Sequence, residues 1–230
     1  MGDESAADTT GTTWAVLHLF CRVTPGTDAG GVVAAVKAAG GGDHQVVTVS
    51  VLGQKADIGF MALGPDVRRL RRLQSELRGA GLELAGSYVS LTELSEYAAG
   101  LPEDMREARL HPRLPPAGKT AFCFYPMSKR RTGADNWYLL DFDERLRLMQ
   151  GHGKVGREFR GRIVQLITGS TGLDDWEWGV TLFGRNPDDL KDCVYQMRFD
   201  EASARFADFG PFVVGTVREL EDVLEEVGLR

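Results

Sequence analysis

The sequence predicts an α+β fold made of two ferredoxin-like βαββαβ repeats whose sheets join into one barrel-like core. Three observations support this prediction. The two halves of the 230-residue chain show the same order of strand and helix patterns. Each half contains a glycine-bearing strand, a glycine turn and a helix that begins near Pro-Asp, in GFMALGPDVRRLRRL and GVTLFGRNPDDLKDCV. A proline-rich stretch separates the halves, which indicates a duplicated βαββαβ unit.

The first half alternates strand and helix patterns in the expected order. Hydrophobic periodicity predicts strands over residues 13–23, 45–53, 56–63 and 82–91, helices over 28–39 and 65–80, and a helical turn over 92–98. The second of these helices opens with Pro65. Proline is well tolerated in a first helical turn, where its missing N–H would have no partner.

The second half repeats the order. Its patterns predict strands over residues 120–128, 162–169, 176–183 and 212–217, and helices over 143–159, 187–196 and 218–227. We therefore divide the chain into a polar, disordered tail, a first repeat, a linker and a second repeat, at residues 1–13, 14–100, 101–118 and 119–230.

Composition excludes several classes of function. A net charge of −6 provides no general attraction to nucleic acid or anionic membranes. Exposed aromatics in an RNP-like pattern, which an RNA-binding ferredoxin-like sheet needs, are absent from the sequence. Cys21, Cys123 and Cys193 form no CxxC pair and are expected to be reduced, buried thiols. Without a secretory signal or a membrane-spanning run, the protein is expected to be soluble and cytoplasmic.

The strand that opens the second half has an unusual face. Alternation places Cys123, Tyr125, Met127 and Lys129 on one side. Pro126 cannot donate in a ladder, so it marks an edge or a bulge. The face is compatible with a sheet edge whose polar groups reach water. The alternative is a pocket that receives Tyr125 and Lys129.

The helix predicted over residues 143–159 carries His152 on its apolar face. Asp141 and Glu144 form a candidate capping box at its start. Glycines at positions 151, 153 and 156 surround the histidine, and each costs about 1 kcal/mol in a helix relative to alanine. A flat, bulky group lying close to the backbone would explain them. Alternatively, His152 is a core residue bonded to a backbone carbonyl.

Three further positions could serve a ligand. Gln165 interrupts the apolar row of Ile163 and Ile167, and a buried amide there needs a partner, either a loop or a ligand. Ser203 could donate to a carboxylate. The strand over residues 176–183 would place large side chains on one face, where they could form the wall of a flat cavity: Trp176, Trp178, Val180 and Leu182.

Several segments of the second half resemble the coproheme decarboxylases of the chlorite dismutase superfamily, in particular the actinobacterial type. The segments are FCFYPMSKRR (122–131), DNWYLL (135–140), ERLRLMQGHGKVGREF (144–159), QLITGSTGLDDWEWGVTLF (165–183) and VYQMRFDEASARFADFGPFVVG (194–215). The resemblance covers most of residues 120–217. The first half matches mainly in pattern, as a cofactor-free repeat would.

The resemblance implies a reaction and its partners. Such enzymes use hydrogen peroxide to decarboxylate two propionates of iron coproporphyrin III (coproheme) to vinyl groups. The reaction gives haem b through a three-propionate intermediate. Coproheme is then both the substrate and its own redox centre. The resemblance also implies a cytoplasmic homopentamer with transient contacts to other enzymes of haem biosynthesis. The alternatives are a non-catalytic haem carrier or sensor and a chlorite dismutase.

The resemblance also implies roles for particular residues. It makes His152 the axial iron ligand, Tyr125 the redox residue, Lys129 and Ser203 propionate ligands, and Met127 and Trp137 pocket residues. His111 is either the distal base that such enzymes use or an exposed loop residue beside Pro112. Gln165 occupies a distal position where chlorite dismutases have an arginine, which favours decarboxylation over chlorite turnover. The basic cluster from Lys129 to Arg131 is expected to meet the substrate's carboxylates.

Overall fold

The computed structural model of the protein describes residues 13–98 and 100–229. The predicted tail of residues 1–13 therefore lies, except for Thr13, outside the described residues. Within the described ranges, no helix is long and apolar enough to cross a membrane.

The first repeat forms a four-stranded antiparallel sheet with two helices. Its elements are β1 (Ala15–Arg22), α1 (Ala29–Ala39), β2 (Gln45–Leu52), β3 (Ile58–Gly64), α2 (Val67–Gly79) and β4 (Glu83–Thr92). The spatial order β2-β3-β1-β4 is that of a ferredoxin-like unit. Asp28 and Asp66 cap α1 and α2 through their side chains, which explains where these helices begin.

The second repeat has the same topology with insertions. Its elements are β5 (Ala121–Lys129), β6 (Arg131–Thr132), β7 (Asp135–Asn136), α4 (Phe142–Arg157), β8 (Ile163–Gly169), β9 (Trp178–Gly184), α5 (Pro187–Met197), α6 (Glu201–Phe206), β10 (Ala207–Phe209) and β11 (Val213–Val217). Its sheet has the order β11-β5-β9-β8. The predicted duplication is therefore confirmed by strand order.

The two sheets close into a ring. One seam joins β11 to β2, with Val214 opposite Leu52, and the other joins β4 to β8, with Leu91 opposite Gly169. Inside the ring lies a core to which both repeats contribute aromatic and aliphatic side chains, among them Phe20, Tyr88, Phe122, Phe124 and Phe183. The predicted barrel-like core of an α+β fold is confirmed.

Several elements differ from the predicted pattern, including the short strands β6 and β7, which were not predicted. The region interpreted as a linker contains a helix, α3 (Glu103–Leu110). A short helix, α6, and a short strand, β10, follow α5, where the sequence suggested only charged residues mixed with phenylalanines. The last helix, α7 (Leu220–Glu226), was predicted, but it packs on the first repeat, where Leu220, Val223 and Leu224 join the core cluster of β1, α1 and α2.

Candidate functional site

His152 lies near the end of α4 and faces α6. Its Nδ1 is 3.0 Å from the Oδ2 of Asp200 and 3.4 Å from the Oγ of Ser203. The side chain of His152 is 24% exposed, whereas that of Asp200 is 4% exposed. The predicted alternative, a histidine bonded to a backbone carbonyl, is wrong, because its bonding partner is a carboxylate.

Asp200 was missed by the sequence reasoning. Burial alone would raise the pKa of Asp200, but the hydrogen bond and charge of His152, together with hydrogen bonds from Ser203, hold its pKa below the ordinary value. Asp200 is therefore ionised at neutral pH, and His152 must donate from Nδ1. That tautomer leaves a lone pair on Nε2 for a metal, as in carboxylate–histidine–metal arrangements.

One signal for Asp200 was present in the sequence. Asp200 caps α6, accepting a hydrogen bond from the backbone N–H of Ser203 at 3.1 Å. Aspartate three residues before serine at a helix start is a common capping pattern. The sequence gives no sign, however, that this cap also reaches a histidine 48 residues earlier in the chain.

The glycines around His152 face open space. A Cβ built at Gly151 or Gly156 would meet no atom within 4 Å, and one at Gly153 would meet only Arg157, at 3.5 Å. Leu148 is the one buried residue of α4 within the described chain. The capping role of Asp141 is confirmed by a 2.8 Å bond from the Glu144 N–H, although the Glu144 carboxylate binds Arg147 instead of completing a box.

The ammonium group of Lys129 is partly buried, and few polar contacts replace the water that it loses. Its Nζ donates to the carbonyl of Ala202 at 3.3 Å and lies 4.2 Å from the ring centre of Trp137. Burial lowers the pKa of Lys129 to about 8, against the opposing effect of the Asp200 and Glu177 charges. An ammonium has three donors, so Lys129 retains capacity to bind an anion.

The other two residues of the basic cluster are already paired. Arg130 binds the carboxylate of Asp208 at 2.9 Å, and Arg131 binds that of Glu177. The sequence suggested that all three charges from Lys129 to Arg131 would be available to a ligand, but Arg130 and Arg131 are used in these ion pairs. Lys129 is the member without a carboxylate partner among the described residues.

Tyr125 lies on the same face of β5 as Lys129. It is 7% exposed, and its ring stacks on Phe212 at 4.5 Å and meets the edge of Phe209 at 5.7 Å. Burial, followed by the neighbouring thiols of Cys123 and Cys193, raises the pKa of Tyr125 above its ordinary value, so its hydroxyl is neutral. Met127 packs beside it, partly buried.

Two predictions about the neighbouring strands are wrong in part. Gln165 is not buried: it is exposed on the same outer face of β8 as Ile167, which is 40% exposed. Trp176 does not share the face of Trp178 and Val180, because β9 begins at Trp178, and Trp176 packs on the core inside the ring. The outer face of β8 thus remains partly open, whereas Val180 and Leu182 of β9 are buried.

His111 lies apart from these groups. It follows α3, where its Nδ1 is 2.6 Å from Glu107 and its ring is 4.9 Å from that of Trp14. Trp14 belongs to the core inside the ring, whereas Tyr125 belongs to the cluster on the outer face of the second repeat. None of these contacts joins His111 to Tyr125.

Four of the eight predicted site residues are linked through α6. Trp137 and Ala202 share one buried cluster with Leu148 of α4, Lys129 contacts both Trp137 and Ala202, and Ser203 contacts His152. These residues fit an iron porphyrin: a carboxylate-oriented imidazole for the metal, glycines that leave room for a flat ring, and an ammonium for its carboxylates.

Comparison with known proteins agrees with this reading. A family model described as chlorite dismutase matches residues 27–218. The chain belongs to the chlorite dismutase family. A solved heme-binding protein from Thermus thermophilus, also similar, is 37% identical, with a TM-score of 0.84 and coverage of 94% of this chain and 97% of that chain.

Two other solved structures resemble the chain in fold. A double mutant of the chlorite dismutase from Candidatus Nitrospira defluvii has a TM-score of 0.76 at 21% identity, covering 94% of this chain and 95% of that chain. The same organism's enzyme in complex with imidazole has a TM-score of 0.74 at 21% identity, with the same coverage. Within the chlorite dismutase family, this chain has Gln165 on β8 and Tyr125 on β5 facing the same side of the sheet.

Proposed function

We propose that this member of the chlorite dismutase family decarboxylates two propionates of coproheme to vinyl groups with hydrogen peroxide, yielding haem b. One observation carries the proposal. Tyr125 and Lys129 share a face of β5, and Lys129 donates to the carbonyl of Ala202 in α6. The residue that caps α6, Asp200, binds His152. An oxidisable phenol and an anion-binding ammonium thus lie on one strand face, and the ammonium contacts the helix whose capping residue binds the imidazole.

The reaction balances in atoms and electrons. One propionate (–CH2–CH2–COO⁻), one H2O2 and one proton become one vinyl group (–CH=CH2), one CO2 and two H2O. Two electrons leave the substrate and reduce the O–O bond of peroxide. The bound iron porphyrin supplies the centre at which peroxide is reduced.

The residues of the chain divide this work. His152, oriented by Asp200, holds the iron from one side. Lys129 binds a propionate and so fixes the rotation of the ring relative to Tyr125. The neutral phenol of Tyr125 loses a hydrogen atom and then recovers one from the propionate carbon next to the ring. Ser203, Met127 and Trp137 complete the pocket, whereas His111, which contacts Glu107 and Trp14, has no role in it.

Gln165 supports decarboxylation over chlorite turnover. The exposed face of β8 carries Gln165 and Ile167, neither of which has a positive charge. A guanidinium at this position would attract an inorganic anion and stabilise charge that develops on it. An amide offers neither advantage, so the propionates of the porphyrin become the anions that this site recognises.

The test is a peroxide titration of the protein loaded with coproheme. The expected products, resolved by mass spectrometry, are a three-propionate intermediate followed by haem b. Tyr125→Phe should bind coproheme with unchanged affinity but convert it at least about 100-fold more slowly. Removing a side chain that transfers a proton in the reaction typically lowers the rate by that factor or more. Bleached porphyrin as the sole product, with Tyr125→Phe matching the wild type, would refute the proposal.

A haem carrier or sensor is the second candidate. It is favoured by the 37% identical protein from Thermus thermophilus, which is described as a heme-binding protein. This function predicts that haem b binds at least as tightly as coproheme and that peroxide produces no decarboxylated product. A comparison of the two affinities, made alongside the titration, separates the candidates.

The proposal extends to the assembly and its location. We expect a homopentamer in the cytoplasm that exchanges porphyrin with other enzymes of haem biosynthesis. Sedimentation of the purified protein measures the subunit number, and a monomer at micromolar concentration would contradict the pentamer.

A further inference from the structure

We propose that Glu93, which follows the last strand of the first repeat, orients Trp178 as one wall of the porphyrin site in the second repeat. The inference rests on the proposed function in one respect, since it needs an iron porphyrin to bind against the outer face of β5. It gives the first repeat a positioning residue for that site, in addition to its part in the ring.

Trp178 stands beside the strand face on which the proposed site is built. It is the first residue of β9, and it lies directly opposite Met127 of β5. Side chains of directly opposed residues project from the same face of a sheet, with Cβ atoms about 5 Å apart. Trp178 therefore neighbours Met127 on the face that also carries Tyr125 and Lys129.

The indole of Trp178 keeps part of its surface accessible. The residue is partly exposed, and within the described part of the chain it belongs to none of the four buried hydrophobic clusters. A tryptophan ring is large and apolar and ordinarily contributes to a core or an interface. An accessible indole next to Met127 is therefore a surface that a flat, apolar ligand can contact.

The polar edge of this indole is held by the first repeat. The Nε1 of Trp178 donates to the Oε1 of Glu93 at 3.0 Å, across 85 positions of the chain. A hydrogen bond to a carboxylate is charge-assisted and stronger than one between neutral groups. The bond thus restricts the rotation of the indole and leaves the faces of the ring free.

Gly169 of β8 makes room for the Glu93 carboxylate. Gly169 lies opposite Leu91 of β4 and opposite Trp178 of β9, so the two repeats and the indole meet at this position. A Cβ built on Gly169 would lie 2.5 Å from the carboxyl carbon of Glu93, too close for any side chain. Glu93 is exposed as a residue, yet its carboxyl group is shielded enough for burial to raise its pKa above the ordinary value.

Glu93 acts on the porphyrin through Trp178. An indole without this partner would be free to rotate, and ordering it when a porphyrin binds would cost conformational entropy. Glu93 orders the ring in advance, so binding does not include that cost. Since it acts through another side chain, it is a positioning residue and not a catalytic one.

Glu83 provides a matched control on the same strand. It lies at the other end of β4, where its carboxylate is 3.6 Å from Arg22 and its side chain is 60% exposed. Glu83→Ala removes the same charge from the first repeat and leaves Trp178 untouched. A general electrostatic effect on a porphyrin that carries carboxylates would appear in Glu83→Ala and Glu93→Ala alike.

The experiment is a double-mutant cycle on coproheme affinity, measured by absorbance titration of the full-length protein without peroxide. It compares the wild type, Glu93→Ala, Trp178→Phe and the double variant. We expect Glu93→Ala to weaken binding about three- to tenfold, the range that one net hydrogen bond corresponds to. In the Trp178→Phe protein, whose ring cannot donate, the same substitution should change the affinity less than about twofold. Glu83→Ala should match the wild type.

A spectroscopic signature separates positioning from a merely structural role. Ultraviolet resonance Raman spectra report the hydrogen bonding of indole N–H groups. The chain has four tryptophans, so subtracting the spectrum of Trp178→Phe isolates the band of Trp178. That band should shift in Glu93→Ala and in Gly169→Ala, whose new methyl group displaces the carboxylate. Glu93→Gln, which keeps an oxygen to accept the bond, should bind coproheme within about twofold of the wild type.

The proposal is overturned if Glu93→Ala weakens binding equally with and without Trp178, if it leaves the affinity unchanged, or if the Trp178 band does not move. The cycle measures binding and is independent of turnover. A wild-type protein that binds coproheme and does not decarboxylate it would contradict the proposed function, and the cycle would still decide the role of Glu93. A decarboxylase whose Glu93→Ala variant binds coproheme like the wild type would contradict the positioning role alone.

Discussion

The first and second repeats share one topology but differ in what lies on the outer face of the sheet. In the first repeat, α1, α2 and α7 pack on that face, and eighteen buried apolar residues form its cluster among the described residues. In the second, the corresponding cluster of described residues holds six, and α5 contributes Leu190 to it. The first repeat therefore buries more of its outer face than the second, and the porphyrin site that we propose lies on the less covered side.

The helices that follow the first strand of each repeat make the contrast concrete. In α1, a Cβ added at Gly31 would lie 3.0 Å from the Cβ of Ala80 and 2.9 Å from Asp28, so glycine is required by close packing. In α4, a Cβ added at Gly151 would meet nothing within 4 Å. Glycine in the second repeat thus leaves space that the protein itself does not fill.

The largest effect that tests this contrast is expected from His152→Ala. Removing the imidazole should abolish the iron–histidine vibration of the porphyrin complex, measured by resonance Raman spectroscopy, because the metal loses its ligand. His111→Ala is the control: it should keep that vibration, because His111 contacts Glu107 and Trp14 and not the groups around His152. An unchanged vibration in His152→Ala would mean that another residue binds the iron. It would contradict the proposed porphyrin site in the second repeat.

A smaller effect is expected from Asp200→Asn. Asparagine still caps α6, so the helix should remain, but the charge that strengthens His152 as a ligand is lost. Porphyrin affinity should fall about 10- to 100-fold and the iron–histidine frequency should decrease. Asp141→Asn, at the cap of α4 in the same repeat, should change neither. Equal effects of the two substitutions would mean that Asp200 acts only through helix stability.

The third effect depends on pH. Burial lowers the pKa of Lys129 to about 8, so the ammonium is present below that pH and is lost above it. Loss of this charge should therefore make coproheme affinity fall above pH 8, by up to about tenfold per pH unit. Lys129→Arg should abolish the decline, since arginine stays charged. Arg22→Met, at the end of β1 in the first repeat, should leave the affinity unchanged. Titrations monitored by absorbance measure this, and a decline that persists in Lys129→Arg would assign it to another group.

The smallest effect compares the two glycines directly. Gly151→Ala should stabilise the porphyrin-free protein by up to about 1 kcal/mol, because alanine favours a helix and meets no obstacle. Gly31→Ala should destabilise it by about 1–3 kcal/mol through overpacking. Urea unfolding measures both. Coproheme affinity should drop in Gly151→Ala and not in Gly31→Ala; destabilisation by both substitutions would show that the face of α4 is not open.

Much of the fold could be predicted from the sequence because the same patterns of strands and helix starts occur in both halves. The pattern of alternating strand residues and the Pro-Asp helix starts occur twice, and each copy supports the other. The short elements α6 and β10 were missed because three to six residues carry too little periodicity. The predicted strand began at Trp176, two residues before the observed start of β9 at Trp178. Trp176 and Trp178 fit the same alternating pattern, so the pattern did not show where the turn ends and the strand begins.

The site was predictable where it depended on one strand or one helix. The shared face of Tyr125 and Lys129 follows from alternation alone. The pairing of His152 with Asp200 depends on how α4 and α6 meet in space, which local pattern does not contain. The same limit applies to Gln165, whose exposure depends on what covers β8, and to Arg131, whose partner Glu177 lies on a distant segment.

Each seam of the ring pairs a strand of the first half with a strand of the second, so the two halves are expected to fold together. A half produced alone would expose the edge strands β2 and β4, or β8 and β11, each with unpaired backbone N–H and C=O groups. Such edges are templates for aggregation. A first half would also lack α7, whose apolar residues complete its core. The repeats are thus one cooperative unit despite their internal symmetry, and cutting the chain between them should yield insoluble fragments that become soluble only when made together.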